Sequence, residues 1–312
     1  MLPKSQIPVQ DYGAIPSNLP ASRADDRLPS GEATGKAGLL PQANDNPPLR
    51  LEEHQFSSQL VGAYRRKEFE VFYQPKVRVS DHEIIGAEAL IRWNHPDLGI
   101  LAPQSFGHHL YHGELGRSVS YWCLETACKQ AASWRCDHAP DFVVSVNTCA
   151  AQLSCRDMPA RVASILSLTG LPPTALELEL TEDHDLDGLP NLPRNLDQLR
   201  DMEVGIAVDD FGTGFASLKH VLNYPISRLK IDRLFVASLD KPSQTMRTCA
   251  SIVEMATKLG VDVTVEGVET QEQLRVLKAI GCTEVQGFLY SRPIPAAQFE
   301  RLLINGFAFA PA

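Results

Sequence analysis

"LELEL", Leu176 to Leu180, alternates apolar and acidic side chains without a break. Period-two alternation is the mark of a strand, and it puts Glu177 and Glu179 together on one face. In a barrel that face is either the interior or the helix layer, so both glutamates need partners. Working outward from "ALELELTE" (175–182), similar runs recur. They are "FEVFYQPKV" (69–77), "IIGAEALIRW" (84–93), "FVVSVN" (142–147), "VGIAVDD" (204–210), "RLKID" (228–232), "VDVTVEG" (261–267) and "TEVQGF" (283–288). Helix-like segments separate most of them, including 116–134, 158–170, 192–202, 244–260 and 270–280, and Gly or Pro punctuates many junctions.

Strand–helix alternation on this scale predicts an α/β fold, and eight strand candidates fit a TIM-type (β/α)8 barrel. The first two candidates are joined only by "RVSDHE" (78–83), which predicts a hairpin and hence one antiparallel strand. An open doubly wound sheet is the alternative, but no G-x-G-x-x-G follows the first strand. Residues 1–50 read differently: rich in Pro, Ala, Gly and Asp, they are expected to form a disordered leader before a barrel over 51–312. A solvated leader is the plain reading, and a partner-binding tail the functional one.

The chain has 312 residues and a formal net charge of -9, which argues against a non-specific nucleic-acid binder. A phosphate substrate is compatible with that charge if bound divalent cations supply the positive field. No apolar run approaches the ~20 residues of a membrane span, and the N-terminus lacks a signal peptide's apolar stretch. The seven cysteines are scattered, with no C-x-x-C pair. A cytoplasmic, reduced protein is expected.

Polar residues gather where the strands finish: Glu88, Asn147, Glu179 with Glu182 just beyond, Asp209 and Asp210, Lys230 and Asp232, Glu266 and Gln286. The C-terminal ends of barrel strands converge on one face, where catalytic residues sit. Converging carboxylates repel one another unless cations are present, which points to Mg²⁺ or Mn²⁺. With Asp209 and Asp210 adjacent, one side chain can bridge two metals while the other serves the second, and a two-metal site suits phosphoryl displacement. Singly, each residue has a bland reading: Asp210 as a turn or cap residue, Asn147 as a loop hydrogen-bonder, Lys230 as a solvated stem. "DFG" (210–212) also echoes a protein kinase. The kinase's other motifs are missing, and Ile206 stands five after the Asp201 of "LRD", where Asn is required.

Set in order, these blocks resemble the EAL-domain family of cyclic di-GMP phosphodiesterases. They are "YQPK" (73–76), "GAEALIRWNHPDLGILAP" (86–103), "SVN" (145–147), "LELTE" (178–182), "DDFGTG" (209–214), "LKIDR" (229–233), "VEGVET" (265–270), "VQGF" (285–288) and "SRPIP" (291–295). The resemblance runs over about residues 55 to 305. It implies hydrolysis of cyclic di-GMP to linear pGpG with two Mg²⁺ or Mn²⁺ ions. By motif, Glu88, Asn147, Glu179 and Asp209 would hold metal, Asp209 bridging, and Asp210 would serve the second ion. Lys230 and Glu266 would orient or deprotonate the attacking water, supported by Gln286. Gln74 and Arg92 would contact substrate, Arg92 at its phosphate through paired N–H donors. Glu182 would hold the loop starting at Asp209 and link it to the homodimer interface that the family often uses.

One stretch departs from the family. Phe106 is followed by "GHHLYHGELGRSV" where Ile-Pro-Leu-Ala-Glu is common, and the usual acidic position falls near Tyr111. His108, His109 and His112 have helical spacing for a metal site, though a solvated polar face is the plain reading of Gly107–Gly116. Family members that lose metal ligands act as cyclic di-GMP receptors or protein-binding modules. Here every expected position is filled, which favours the enzyme over a catalytically weak receptor. A metal-dependent lyase on the same barrel is a weaker alternative.

Overall fold

The hairpin sets the architecture. β1 (Phe69–Arg78) and β2 (Ile84–His95) pair antiparallel, joined by a tight turn in which Arg78 binds Asp81 and Glu83. The structure is a computed structural model and describes residues 53–110, 113–180, 188–212, 218–237 and 244–307. β2 continues past the barrel and pairs with the short β3 (Gly99–Leu101). From β2 the sheet runs parallel through β4 (Val143–Thr148), β5 (Leu176–Leu180), β6 (Gly205–Phe211), β7 (Arg228–Ile231), β8 (Asp262–Val265) and β9 (Glu284–Gln286). β1 then closes the ring against β9, antiparallel, with Lys76 opposite Gln286. β10 (Ile294–Pro295) takes the other half of β1 at Phe72 and Tyr73. Among the described residues this is a closed barrel of eight strands, β1 the antiparallel one, as the sequence predicts.

The helix layer follows from apolar spacing. In the helix Met158–Thr169, Met158, Val162, Ile165 and Leu166 form one buried stripe, and Gly170 ends the helix in a left-handed turn with φ 72°. The helix Gln271–Ala279 starts on a capping box between Thr270 and Gln273. Each strand gives its apolar positions to these helices: Val144 and Val146, Leu176 and Leu178, Ile206 and Val208, Leu229 and Ile231, Val263 and Val265 all lie in one core with Leu124, Trp134, Leu196 and Leu277. Burying one such side chain is worth roughly 1.5–3 kcal/mol. A second cluster joins Leu60, Phe69, Trp93, Phe106 and Leu110, with the rings of Phe69, Trp93 and Phe106 about 6 Å apart. It anchors the start of the divergent segment.

That segment forms a helical turn at Gly107–Leu110, followed by the long helix Gly113–Asp137. The His108–His109–His112 metal reading cannot be placed, because Tyr111 and His112 lie outside the described residues and the side chains of His108 and His109 are likewise undescribed. The leader (1–50) and Glu182 also lie outside the described residues. Among the described residues no helix is long and apolar enough to cross a membrane.

The other face of every strand is polar or small. Gln74, Lys76, Glu88, Ser145, Glu177, Glu179, Lys230, Thr264, Glu284 and Gln286 are all buried. Many of their contacts cross between strands that are not neighbours, which only the bore allows: β1 to β5, β5 to β7, β7 to β9. In most barrels of this type branched apolar side chains fill that space. Here the apolar core lies between strands and helices, and the bore is ionic.

Candidate active site at the barrel mouth

Parallel strands bring residues two apart onto the bore at two heights. The lower height holds Ser145, Glu177, Arg228, Thr264 and Glu284, with Lys76 from β1. Glu177 receives Lys76 Nζ at 2.7 Å on one oxygen and Arg228 Nε at 2.7 Å on the other. Arg228 Nη1 reaches Glu284 Oε2 at 2.9 Å, and Thr264 donates to Glu284 Oε1 at 2.6 Å. Burial pushes the Glu177 carboxyl up, but Lys76 and Arg228 outweigh it and hold the group well below the ordinary range.

The upper height is acidic. Lys230, 1% exposed, sits among Glu179 Oε2 at 2.7 Å, Glu266 Oε1 at 2.7 Å, Asp209 Oδ1 at 2.9 Å and Glu88 Oε2 at 3.6 Å. Burial opposes its charge, yet these carboxylates hold its ammonium well above the ordinary lysine range. The acids show the converse. Burial first, then the Asp209 and Glu88 charges, raises Glu266 well above its usual value despite Lys230. Burial and Glu88 raise Glu179 as well. Asp210 is pushed up to about 7 by burial and by Asp209 and Asp232.

Regular alternation would turn Asp209 and Asp210 to opposite faces. The backbone avoids this with a bulge. Val208 pairs with Leu229 and Phe211 with Ile231, so β6 spends one residue more than β7 over the same span. Asp210 adopts a left-handed φ of 52°, a conformation aspartate tolerates better than most side chains. Both carboxylates thereby reach the mouth, and with Glu266 they present oxygens within 4.8 Å of one another.

The remaining positions divide. Asn147 Nδ2 donates to Glu88 Oε1 at 2.8 Å, and Gln286 Nε2 donates to Glu88 Oε2 at 2.6 Å and Gln74 Oε1 at 3.1 Å. Gln286 is thus fastened to Glu88 and Gln74, where the family resemblance placed its support at Glu266. Gln74 in turn donates to the Ser291 carbonyl at 3.2 Å. Arg92, further along β2 than Glu88, has its guanidinium 5.7 Å from the Phe72 ring centre and donates to the Ile91 carbonyl. The expected metal and water-handling residues among those described converge around Lys230. Sequence reading did not single out Lys76, Ser145, Arg228, Thr264 or Glu284 as members of the bore. The available signal was a polar pair two residues apart in strand after strand: Gln74 and Lys76, Ser145 and Asn147, Arg228 and Lys230, Thr264 and Glu266, Glu284 and Gln286.

The donor set fits hard divalent cations. Among the described residues the bore lines up Glu88, Glu177, Glu179, Asp209, Asp210, Glu266 and Glu284 against Lys76, Arg228 and Lys230, an excess of four formal negative charges that two divalent ions would balance.

Fold and site together define a TIM-type barrel with an acid cluster at its strand ends. The profile of the EAL domain matches residues 57–293, and the chain belongs to the EAL-domain family. It is 35% identical over 252 residues to the cyclic di-GMP phosphodiesterase NbdA of Pseudomonas aeruginosa, covering 81% of this chain and 32% of that one. It is 37% identical over 253 residues to Rv1357c of Mycobacterium tuberculosis, covering 79% and 82%. The chain therefore spans about a third of NbdA but most of the mycobacterial relative. Among solved structures, the EAL enzyme Bd1971 bound to cAMP and cyclic di-GMP superposes with TM-score 0.77 at 31% identity, over 82% of this chain and 70% of that one. The MucR phosphodiesterase in complex with cyclic di-GMP gives TM-score 0.73 at 36% identity, over 78% and 99%.

Proposed function

We propose that this chain is a cyclic di-GMP phosphodiesterase that produces linear pGpG, with two Mg²⁺ or Mn²⁺ ions at the barrel mouth. The observation that carries the reading is the ring of Glu88, Glu179, Asp209 and Glu266 around Lys230, with Asp210 turned into it by the bulge. The relatives named as cyclic di-GMP phosphodiesterases, and the related structures holding that nucleotide, support the substrate.

Glu88, Asn147, Glu179 and Asp209 would hold one ion, and Asp209 and Asp210 the other. Such ions supply charge neutralisation at the phosphate and an acidified water. The chain's own residues do the rest. Lys230 lies against Glu179, Asp209 and Glu266 at once, and would turn one of its three N–H donors from them to the attacking water beside Glu266. Glu266, made more basic by burial, accepts the proton. The water oxygen forms a bond to phosphorus, the bond from phosphorus to the 3′ oxygen breaks, and that oxygen takes a proton from solvent water to leave as a hydroxyl. Gln286 and Asn147 lock Glu88 from both sides. Arg92 and Gln74 would meet the substrate beyond the ions.

Three further elements belong to the proposal: a leader over 1–50 preceding the barrel, a homodimer, and a cytoplasmic setting. The cysteines suit the last, since no disulfide joins any of the seven among the described residues.

The test is turnover of cyclic di-GMP with Mg²⁺, with Mn²⁺ and with chelator, products separated by chromatography. pGpG should form with metal only, and Glu88→Ala should stop it. Tight nucleotide binding with no hydrolysis under either metal would sink the enzyme and leave a receptor.

A further inference from the structure

Lys76 stands where the two heights of the bore meet. It is only 3% exposed. Its ammonium has three N–H donors, and each has an acceptor: Ser145 Oγ, Glu177 Oε1 at 2.7 Å and Glu179 Oε1 at 3.3 Å. The first two acceptors belong to the lower height and are themselves fixed. Ser145 donates to Glu177 at 2.7 Å, and Arg228 holds the other Glu177 oxygen and passes on to Glu284. The third donor leaves this network and reaches the upper carboxylate. Glu179 is fully buried, and its second oxygen is taken by Lys230.

We propose that Lys76 is a positioning residue for the metal site, tying the Glu179 carboxylate to the ion-paired lower network so that it faces the bound cation. This rests on the reading of Glu179 as a metal ligand. Without that tie, Glu179 keeps Lys230 as its ionic partner and is free to turn both oxygens towards it, away from a metal. Partners that orient a ligand in this way commonly change metal affinity by roughly tenfold to a hundredfold.

Electrostatics alone predicts the opposite sign. Deleting the Lys76 charge leaves the bore more negative, which by itself draws a cation in more tightly. Weaker metal binding on losing Lys76 therefore reports orientation rather than charge. Lys76→Met is the direct variant. Lys76→Met with Glu177→Gln removes one charge of each sign, so the net charge is kept and no new unpaired ion is buried.

The experiment is calorimetric titration of the full chain with Mn²⁺, without substrate, each variant first checked for native near-ultraviolet circular dichroism. Both variants should bind Mn²⁺ at least roughly tenfold more weakly than the native protein. If Lys76→Met does not fold, the charge-neutral pair carries the test. Native or tighter Mn²⁺ affinity in a folded variant overturns the positioning role while leaving the metal site standing. Failure of the native protein itself to bind Mn²⁺ overturns the Glu179 ligand reading, and this proposal with it.

Discussion

The two heights of the bore are built on the same strands, two residues apart, yet they differ in kind. Below, Lys76 and Arg228 face Glu177 and Glu284, and every charge has an opposite partner within hydrogen-bonding distance. Above, Lys230 faces Glu88, Glu179, Asp209 and Glu266, with Asp210 close by. The lower network is complete without help. In the upper one, burial first and neighbouring carboxylates second raise Glu179, Glu266 and Asp210 above their ordinary values. A pleat that alternates polar and apolar residues can thus place a balanced ionic girdle and a carboxylate cluster one step apart, while the leucines and valines on the other face form the apolar core.

The sharpest way to break this contrast is to remove an upper carboxylate. Asp209→Asn should lower cyclic di-GMP turnover by at least roughly a hundredfold with little change in folding, read by chromatography and by a melting curve. Chelator should do the same to the native protein, and added Mn²⁺ should restore turnover and raise the melting temperature, since a ligand at about 100 times its Kd stabilises by ~2.7 kcal/mol. The lower height should respond in reverse. Arg228→Met leaves Glu177 and Glu284 short of a shared cation and should cost about 3–5 kcal/mol in denaturant unfolding. A turnover loss as deep as that of Asp209→Asn, in still-folded Arg228→Met, would erase the distinction between the two heights. Smaller again, Asp210→Asn relieves crowding among like charges and should stabilise the metal-free protein by about 1 kcal/mol while turnover falls. Smallest of all, removing residues 1–50 should leave turnover within about twofold. A larger loss would tie the leader to the barrel.

Much of this was legible in the sequence. Strong periodicity and Gly/Pro punctuation located all eight barrel strands, and the shortness of "RVSDHE" marked the reversed one. Glu179, Asp209, Asp210 and Glu266 declared themselves at or beside strand ends, whereas Glu88 lies inside β2, which runs on to His95. β3 and β10 did not, because segments of three and two residues carry no period. The partners of Glu177 were hidden for another reason. Lys76 lies 101 residues away and Arg228 51, on strands that do not adjoin β5, so only ring closure brings them together. The left-handed Asp210 was hidden too: a bulge is one extra residue in a pairing, and no single strand shows it.

The turn between β1 and β2 has a consequence for how this chain can vary. It lies at the solvent-exposed end of the hairpin, the kind of place where insertions are usually tolerated. Yet its length sets Gln74 against Glu88 and Lys76 against Gly86. Slipping the hairpin by one residue would turn Lys76 out of the bore and an apolar neighbour into it. Lineages could change the letters of this turn freely, but hardly their number.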